Sequence, residues 1–185
     1  MESGLTVYID EGGDNGVKDG LHYHGTRYEW MTLGAYVVRS ANSADPVVIR
    51  DEILREAKVR QAANLHYYKL KEDRRLQACE ILGSKSARAF CFASHKSNMR
   101  EYVNPRLGRI KAEEYYRWCC RLLLERVHEF ALLDSRSRRC DLTPLEIVFS
   151  ENAGLDYDGM FSYFQTINQQ AGLGQFEKKP KCWIR

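Results

Sequence analysis

The feature that most constrains the fold is the alternation of short apolar segments with longer amphipathic ones. Apolar side chains that recur at every second residue are typical of strands, and those that recur every three or four residues are typical of helices. Together these segments predict an α/β fold with a mixed sheet and covering helices. Strands are predicted at 5–10, 28–39, 87–94 and 145–149, and helices at 46–57, 72–82, 111–133 and 159–171.

Caps and connections follow from local residue types. Asp45 and Asp158 each precede an amphipathic segment and are predicted to cap a helix. Residues 65–70 are predicted to be a short extended piece, and residues 96–109 a connecting loop. The strand-like ending predicts that further chain follows Arg185, and its exposed edge is a candidate for pairing with a second copy in a homodimer.

Composition narrows the class of protein. The chain has 185 residues, of which 44% are hydrophobic, and a formal net charge of +3, which is typical of one globular domain over residues 1–185. No stretch reaches the ~18 apolar residues of a membrane helix, and the first residues lack the pattern of a secretory signal, so a cytoplasmic protein is expected. The charge is too mild to predict nucleic-acid binding by itself. Basic residues nevertheless concentrate at 69–75, 96–111, 136–139 and 178–185. They form either solvent-exposed surfaces or a basic surface around the acidic residues near the N-terminus.

Cysteine and aromatic side chains have competing interpretations. The six cysteines show no paired metal-site spacing and are predicted to be reduced and mostly core-filling. The spacing of His22 and His24 would allow both to bind one metal ion, but this spacing is common and has little specificity for a metal site. Five aromatic residues are able to stack on bases, although their spacing favours burial in the core: Tyr67, Tyr68, Tyr115, Tyr116 and Trp118.

The strongest chemical signal is the placement of carboxylates after two predicted strands. Asp10, Glu11 and Asp14 surround two glycines at the end of the first strand, and Glu151 follows the strand at 145–149. A polar hairpin turn also explains Asp and Gly here, because both are favoured in turns. Strand alternation puts Asp10 and Glu11 on opposite faces, so one of them is expected to share a site with Glu151, and Asp10 is preferred.

Carboxylates at neighbouring strand ends predict a site for Mg²⁺ or Mn²⁺. These cations prefer oxygen ligands, and two of them about 3.5–4 Å apart stabilise both the attacking and the leaving oxygen of a phosphodiester. Such hydrolysis requires no nucleophilic side chain, and the sequence contains no phosphate-binding loop, HExxH or dinucleotide motif. His66 is either a group that faces a phosphate or a metal-bound water, or a half-buried structural histidine.

The segment LTVYIDEGGD resembles the opening Asp-Glu-Ser-Gly strand of a prokaryotic and phage family of unknown function with a ribonuclease-H-like fold. Later landmarks occur in the same order, including LGAYVV, NLHYYKLK, ARAFCFAS, LLLERV and IVFSEN. The resemblance implies Asp10 as the central metal ligand, with Glu11 or Asp14 nearby and Glu151 as the second acid. The chain departs from the family at Gly12, at Asn64 and His66, and in lacking a closing acid-bearing helix before Arg185.

Two functions are therefore expected. The first is a Mg²⁺- or Mn²⁺-dependent nuclease that hydrolyses phosphodiester bonds with strand-end carboxylates. The second is a non-catalytic module of phage or mobile-element origin that binds nucleic acid or protein. The first predicts cleavage that depends on Asp10, and the second predicts binding that is indifferent to metal.

Overall fold

The computed structural model describes residues 4–13, 29–42, 45–56, 65–99, 102–104, 108–109, 112–140, 145–150, 155–171 and 181–183. These residues form a mixed α/β structure, which confirms the predicted class. The strands are β1 (Leu5–Gly12), β2 (Trp30–Arg39), β3 (Arg88–His95), β4 (Val103–Asn104), β5 (Gly108–Arg109), β6 (Leu145–Ser150) and β7 (Lys181–Trp183). The helices are α1 (Asp45–Glu56), α2 (Glu72–Gly83), α3 (Ala112–Arg138) and α4 (Tyr157–Ala171).

The main sheet of the described residues has five strands in the order β3-β2-β1-β6-β7. Strand β2 is antiparallel to both β1 and β3, whereas β6 is parallel to β1 and β7 is parallel to β6. Because β1 and β6 are parallel, their carboxyl ends lie at the same edge of the sheet. Ile9 pairs with Phe149, so Asp10 comes alongside Ser150.

The two faces of this sheet are covered differently. The closed face carries Val7 and Ile9, and α3 and α4 pack against it in one hydrophobic core. The open face carries Tyr8, Asp10 and Tyr36; α1 and α2 form a smaller cluster beside Tyr36 and leave the region around Asp10 uncovered by described residues. The predicted apolar stripe of α3 is confirmed, since its members face the closed face at helical spacing. Its buried residues include Tyr116, Cys119, Cys120, Leu123 and Val127.

Several local predictions were wrong. Residues 65–70 are not extended throughout, because Tyr67–Lys69 form a 3₁₀ turn. Residues 96–109 are not all loop, since they contain a second 3₁₀ turn and the β4–β5 pair. Helix α3 continues to Arg138, five residues beyond its predicted end, and Arg139 then adopts a positive φ of 53°.

The start of α4 also differs from the sequence prediction. The Gly159 N–H donates to Asp156 Oδ1 at 2.9 Å, so Asp156 is the capping side chain. Asp158, the predicted cap, lies inside the first turn of the helix. Asp156 also accepts from Arg117 of α3 at 3.2 Å, and this contact ties the start of α4 to α3. Among the described helices, none combines the length and the apolar character needed to cross a membrane.

Candidate functional site

Asp10 lies near the carboxyl end of the central strand and is exposed on the open face. The Ser150 hydroxyl, at the last residue of β6, donates to Asp10 Oδ1 at 2.6 Å. This contact follows from the parallel register, which puts the ends of the two strands side by side. The structure thus brings together the ends of the two strands that precede the predicted acids.

Glu11 lies on the other side of the sheet, as strand alternation predicts. Its carboxylate accepts a hydrogen bond from the Tyr116 hydroxyl of α3 at 3.2 Å. Burial of Tyr116, with further contributions from Cys120 and Glu11, raises the pKa of its phenol, so the hydroxyl stays protonated as a donor. Of these two neighbouring acids, Asp10 is the one that reaches the open face.

The other sequence candidates are not all described. Asp14 and Glu151 lie outside the described residues, as do His22 and His24. His66 is exposed in a separate segment, just before the 3₁₀ turn, and its ring lies 5.6 Å from the ring of Tyr68.

The oxygen atoms of Asp10 and Ser150 are of the chemical types that bind hard cations such as Mg²⁺. Within the described ranges, no three His, Cys, Asp or Glu side chains gather into a metal-binding group. Asp10 supplies a carboxylate and Ser150 supplies a hydroxyl oxygen, both of which are ligand types for Mg²⁺. Magnesium sites commonly use one or two carboxylates and complete their coordination with water and substrate phosphates. Asp10 is therefore the described residue best placed to hold such an ion.

A cavity of about 450 Å³ lies next to Asp10 and was not anticipated from the sequence. Tyr8, Tyr36 and Val148 contribute to its lining, and Asp10 and Ser150 line it as well. Burial, together with the nearby charge of Glu146, raises the pKa of Tyr8 and keeps its phenol neutral. Because the lining residues come from four strands, the cavity becomes visible only when the strand register is known.

A second surface is formed by exposed aromatic and basic side chains around the 3₁₀ turn at Tyr67–Lys69. Tyr67 and Tyr68 are 58% and 70% exposed, and Trp118 is also exposed, so the prediction of core burial was wrong for these three residues. It was correct for the fully buried Tyr115 and Tyr116. The Arg75 guanidinium lies 5.2 Å from the centre of the Tyr67 ring, and Lys69 Nζ lies 5.6 Å from that of Tyr68. We call Tyr67, Tyr68, Lys69 and Arg75 the aromatic–basic cluster.

The aromatic–basic cluster is held in place by its own backbone. Arg75 donates to the carbonyl oxygens of Tyr67 and Tyr68 at 3.2 and 2.9 Å. Leu70 directly follows the turn and is buried against α1 and α2, so the exposed rings stand on an anchored segment. A sequence signal for this arrangement was present in the pair of tyrosines flanked by basic residues.

No protein-family model and no curated protein matches the sequence. The site is defined by the exposed carboxylate of Asp10 and its contact with Ser150. The cavity beside Asp10 and the aromatic–basic cluster are the two further features of the described residues that bear on ligand binding.

Proposed function

We propose that the protein is a Mg²⁺- or Mn²⁺-dependent nuclease with a ribonuclease-H-like fold. The observation that carries this proposal is the exposed Asp10 carboxylate near the end of the central strand, in contact with Ser150 at the end of its parallel neighbour. The sheet supports the fold assignment, because three antiparallel strands continued by two parallel ones are typical of ribonuclease-H-like proteins. Asp14 and Glu151, the acids implied by the resemblance, are the proposed partners of Asp10.

The described residues divide the work of such a site. Asp10 would hold the cation, and the hydrogen bond from Ser150 orients its carboxylate. When bound, a divalent cation would neutralise charge on the phosphodiester and make water a better nucleophile. Glu11 stays bound to Tyr116 and stabilises the contact between β1 and α3 rather than facing the substrate.

Cleavage of labelled RNA, DNA and RNA–DNA hybrid in Mn²⁺ tests the proposal. We expect Asp10→Asn to lose at least about 100-fold in rate, because it removes a charged ligand worth several kcal/mol in such a site. The matched control is Asp51→Asn, which changes an exposed aspartate of α1 whose ion-pair partner is the adjacent Arg50. Equal activity in Asp10→Asn and in the unmodified protein would contradict the proposal, as would no cleavage of any of the three substrates.

A second candidate function is favoured by the aromatic–basic cluster. Exposed rings next to cations are the features with which proteins bind single-stranded nucleic acid, because bases stack on the rings and phosphates pair with the cations. Lys71 and Arg74 add positive charge to the same segment, whereas Glu72 and Asp73 offset part of it in the first turn of α2. This arrangement supports a binding module that functions without cleavage.

The two functions differ in their dependence on metal. A binding module is expected to bind a fluorescent single-stranded oligonucleotide in EDTA, with affinity that falls as salt rises. Replacing Tyr67 and Tyr68 together by alanine is expected to weaken binding at least about fivefold, since each stacked base is worth about 1–3 kcal/mol. Tyr102→Ala is the control, because Tyr102 is also exposed but lies outside the cluster. Unchanged affinity in the double variant would rule out the aromatic–basic cluster as the binding surface.

A further inference from the structure

A glycine occupies the middle of β2 at a position where the backbone does not require one. Gly34 pairs with Asp10 on one side and with Cys91 on the other. Its φ is not in the left-handed region, where glycine is needed. A Cβ at this position would meet only the Asp10 carbonyl oxygen, at 3.9 Å, which is an ordinary van der Waals contact. Glycine weakens a strand interior, so its presence here calls for another explanation.

The missing side chain leaves space in the cavity beside Asp10. Gly34 lies on the open face and is one of the residues that line the cavity of about 450 Å³. Tyr8 and Tyr36 are cross-strand partners in the same lining, one residue pair away along the face. The Tyr36 hydroxyl donates to the Leu82 carbonyl of α2 at 3.2 Å, which holds this ring in place before any ligand binds. Gly34, Tyr8 and Tyr36 therefore line the same open cavity.

The chemistry of this lining favours a flat, neutral ligand. Tyrosine rings and Val148 supply apolar surface, and the described residues that line the cavity include no lysine or arginine. A phosphate would therefore find no positively charged partner among the residues that line the cavity. A nucleobase has apolar faces that stack on aromatic rings and polar edges that accept or donate hydrogen bonds.

We propose that this cavity is a subsite for one unstacked nucleobase, belonging to a nucleotide next to the phosphate that faces Asp10. The proposal rests on the proposed nuclease function, because that function supplies the strand whose base enters the cavity. Gly34 is the specificity-determining position, since its missing side chain makes room for the base. The size of the cavity lies within the range of small-molecule sites, about 300–1,000 Å³.

The position of Gly34 allows a direct block of the subsite. Gly34→Val adds a side chain above the cavity floor without a steric clash at Cβ, and β-branched residues are favoured in strands. Gly34→Ala fills less of the space and serves as the milder variant. The matched control is Ala93→Val, which makes the same final side chain at an exposed position of β3 on the same face, outside the cavity lining.

The experiment measures binding of a single-stranded pentanucleotide that carries 2-aminopurine at its centre, in EDTA, by fluorescence. The unmodified protein is expected to bind it and to change its emission, and to bind the same strand with an abasic centre at least about fivefold more weakly. Gly34→Val is expected to weaken binding of the base-bearing strand by a similar factor and to lose the preference over the abasic strand. Ala93→Val is expected to retain both the affinity and the preference.

Several outcomes overturn the subsite. These are equal affinity of the unmodified protein for the two strands, no measurable binding of either strand, and unchanged affinity in Gly34→Val. The comparison of the two strands needs no variant, so equal affinity overturns the subsite even where a substitution impairs folding. Because bases also stack on exposed rings such as those of the aromatic–basic cluster, Gly34→Val is the variant that assigns a base preference to the cavity. Binding is measured without metal and cleavage is measured with Mn²⁺, so the two proposals fail separately. A protein that prefers the base-bearing strand but cleaves nothing contradicts only the nuclease function. A protein that cleaves but shows no such preference contradicts only the subsite.

Discussion

The two faces of the sheet give Asp10 and Glu11, adjacent residues of one strand, different environments. Glu11 is on the closed face, where a buried tyrosine of α3 donates to its carboxylate. Asp10 is on the open face, where its carboxylate is exposed and contacts the end of a neighbouring strand. Successive side chains of a strand point to opposite faces, so Glu11 stabilises the packing of β1 against α3 and Asp10 remains exposed to solvent.

The same division extends to the cysteines. Cys119 and Cys120 are fully buried in α3 under the closed face, whereas Cys91 is exposed on the open face. Cys79 and Cys140 are also exposed, so the prediction that the cysteines are mostly core-filling was wrong for three of the five whose burial the structure describes. Among the described cysteines, the two buried thiols therefore lie under the closed face, and Cys91 is accessible on the open face.

The largest effect is expected from a cavity made in the closed face. Phe149 is 1% exposed in the main core, so Phe149→Ala should lower the free energy of unfolding by about 3–5 kcal/mol, measured by urea denaturation. Cys91→Ala on the open face should change it by less than about 0.5 kcal/mol. Similar losses in the two variants would remove the distinction between the faces.

A weaker effect is expected from alkaline pH, through the buried thiols of the closed face. Burial raises the pKa of Cys119 from 9.0 to about 12, and burial also raises the pKa of Cys120. Both thiols are then protonated in the folded chain but ionised in the unfolded chain above pH 9, so their stabilising contribution is complete below pH 9 and is lost as pH rises towards 12. Each thiol lowers the free energy of unfolding by about 1.4 kcal/mol per pH unit in this range.

Urea denaturation between pH 8 and 11 measures this slope. Cys119→Ala should reduce the slope of the free energy of unfolding against pH by about 1.4 kcal/mol per pH unit, because it removes one of the two buried thiols. Cys91→Ala retains both buried thiols and should retain the slope. An unchanged slope in Cys119→Ala would show that its thiol is not protected by the closed face.

The smallest effect is expected at the edge of the closed face, where Arg39 of β2 donates twice to Asp134 of α3, at 3.1 and 3.2 Å. Arg138 also pairs with Asp134, at 3.3 Å, on the last turn of the helix. Asp134→Asn should lower the free energy of unfolding by about 1 kcal/mol, because both arginines are partly solvated. Asp51→Asn, at an exposed pair on α1, is the control, and an equal change in the two variants would count against a stabilising contact between β2 and α3.

Periodicity predicted the elements whose side chains meet the core directly. The strand at 145–149 was predicted from a short, nearly continuous apolar run, and α3 was predicted from apolar side chains that recur every three or four residues. The cap of α4 was missed because Asp156 and Asp158 are both suitable, and only the position of the Gly159 N–H separates them. The turn after His66 depends on the burial of Leu70 between α1 and α2, which no local pattern reveals.

The candidate site was predictable in part for the same reason. Alternation along β1 was enough to place Asp10 and Glu11 on opposite faces. The contact of Asp10 with Ser150 depends on the register between β1 and β6, which are far apart in sequence. The role proposed for Gly34 could be inferred only from the assembled sheet, because the sequence does not show which residues lie beside a strand glycine on the same face.

We propose that Asp10, and not Glu11, is the carboxylate that acts in catalysis. The Mn²⁺-dependent cleavage rates of Asp10→Asn and Glu11→Gln test this assignment. We predict that Asp10→Asn loses at least about 100-fold in rate, whereas Glu11→Gln stays within about threefold of the unmodified protein. Circular dichroism on both variants shows whether the fold is retained. Equal loss of rate in two folded variants, or a greater loss in Glu11→Gln, would contradict the assignment of catalysis to the open face.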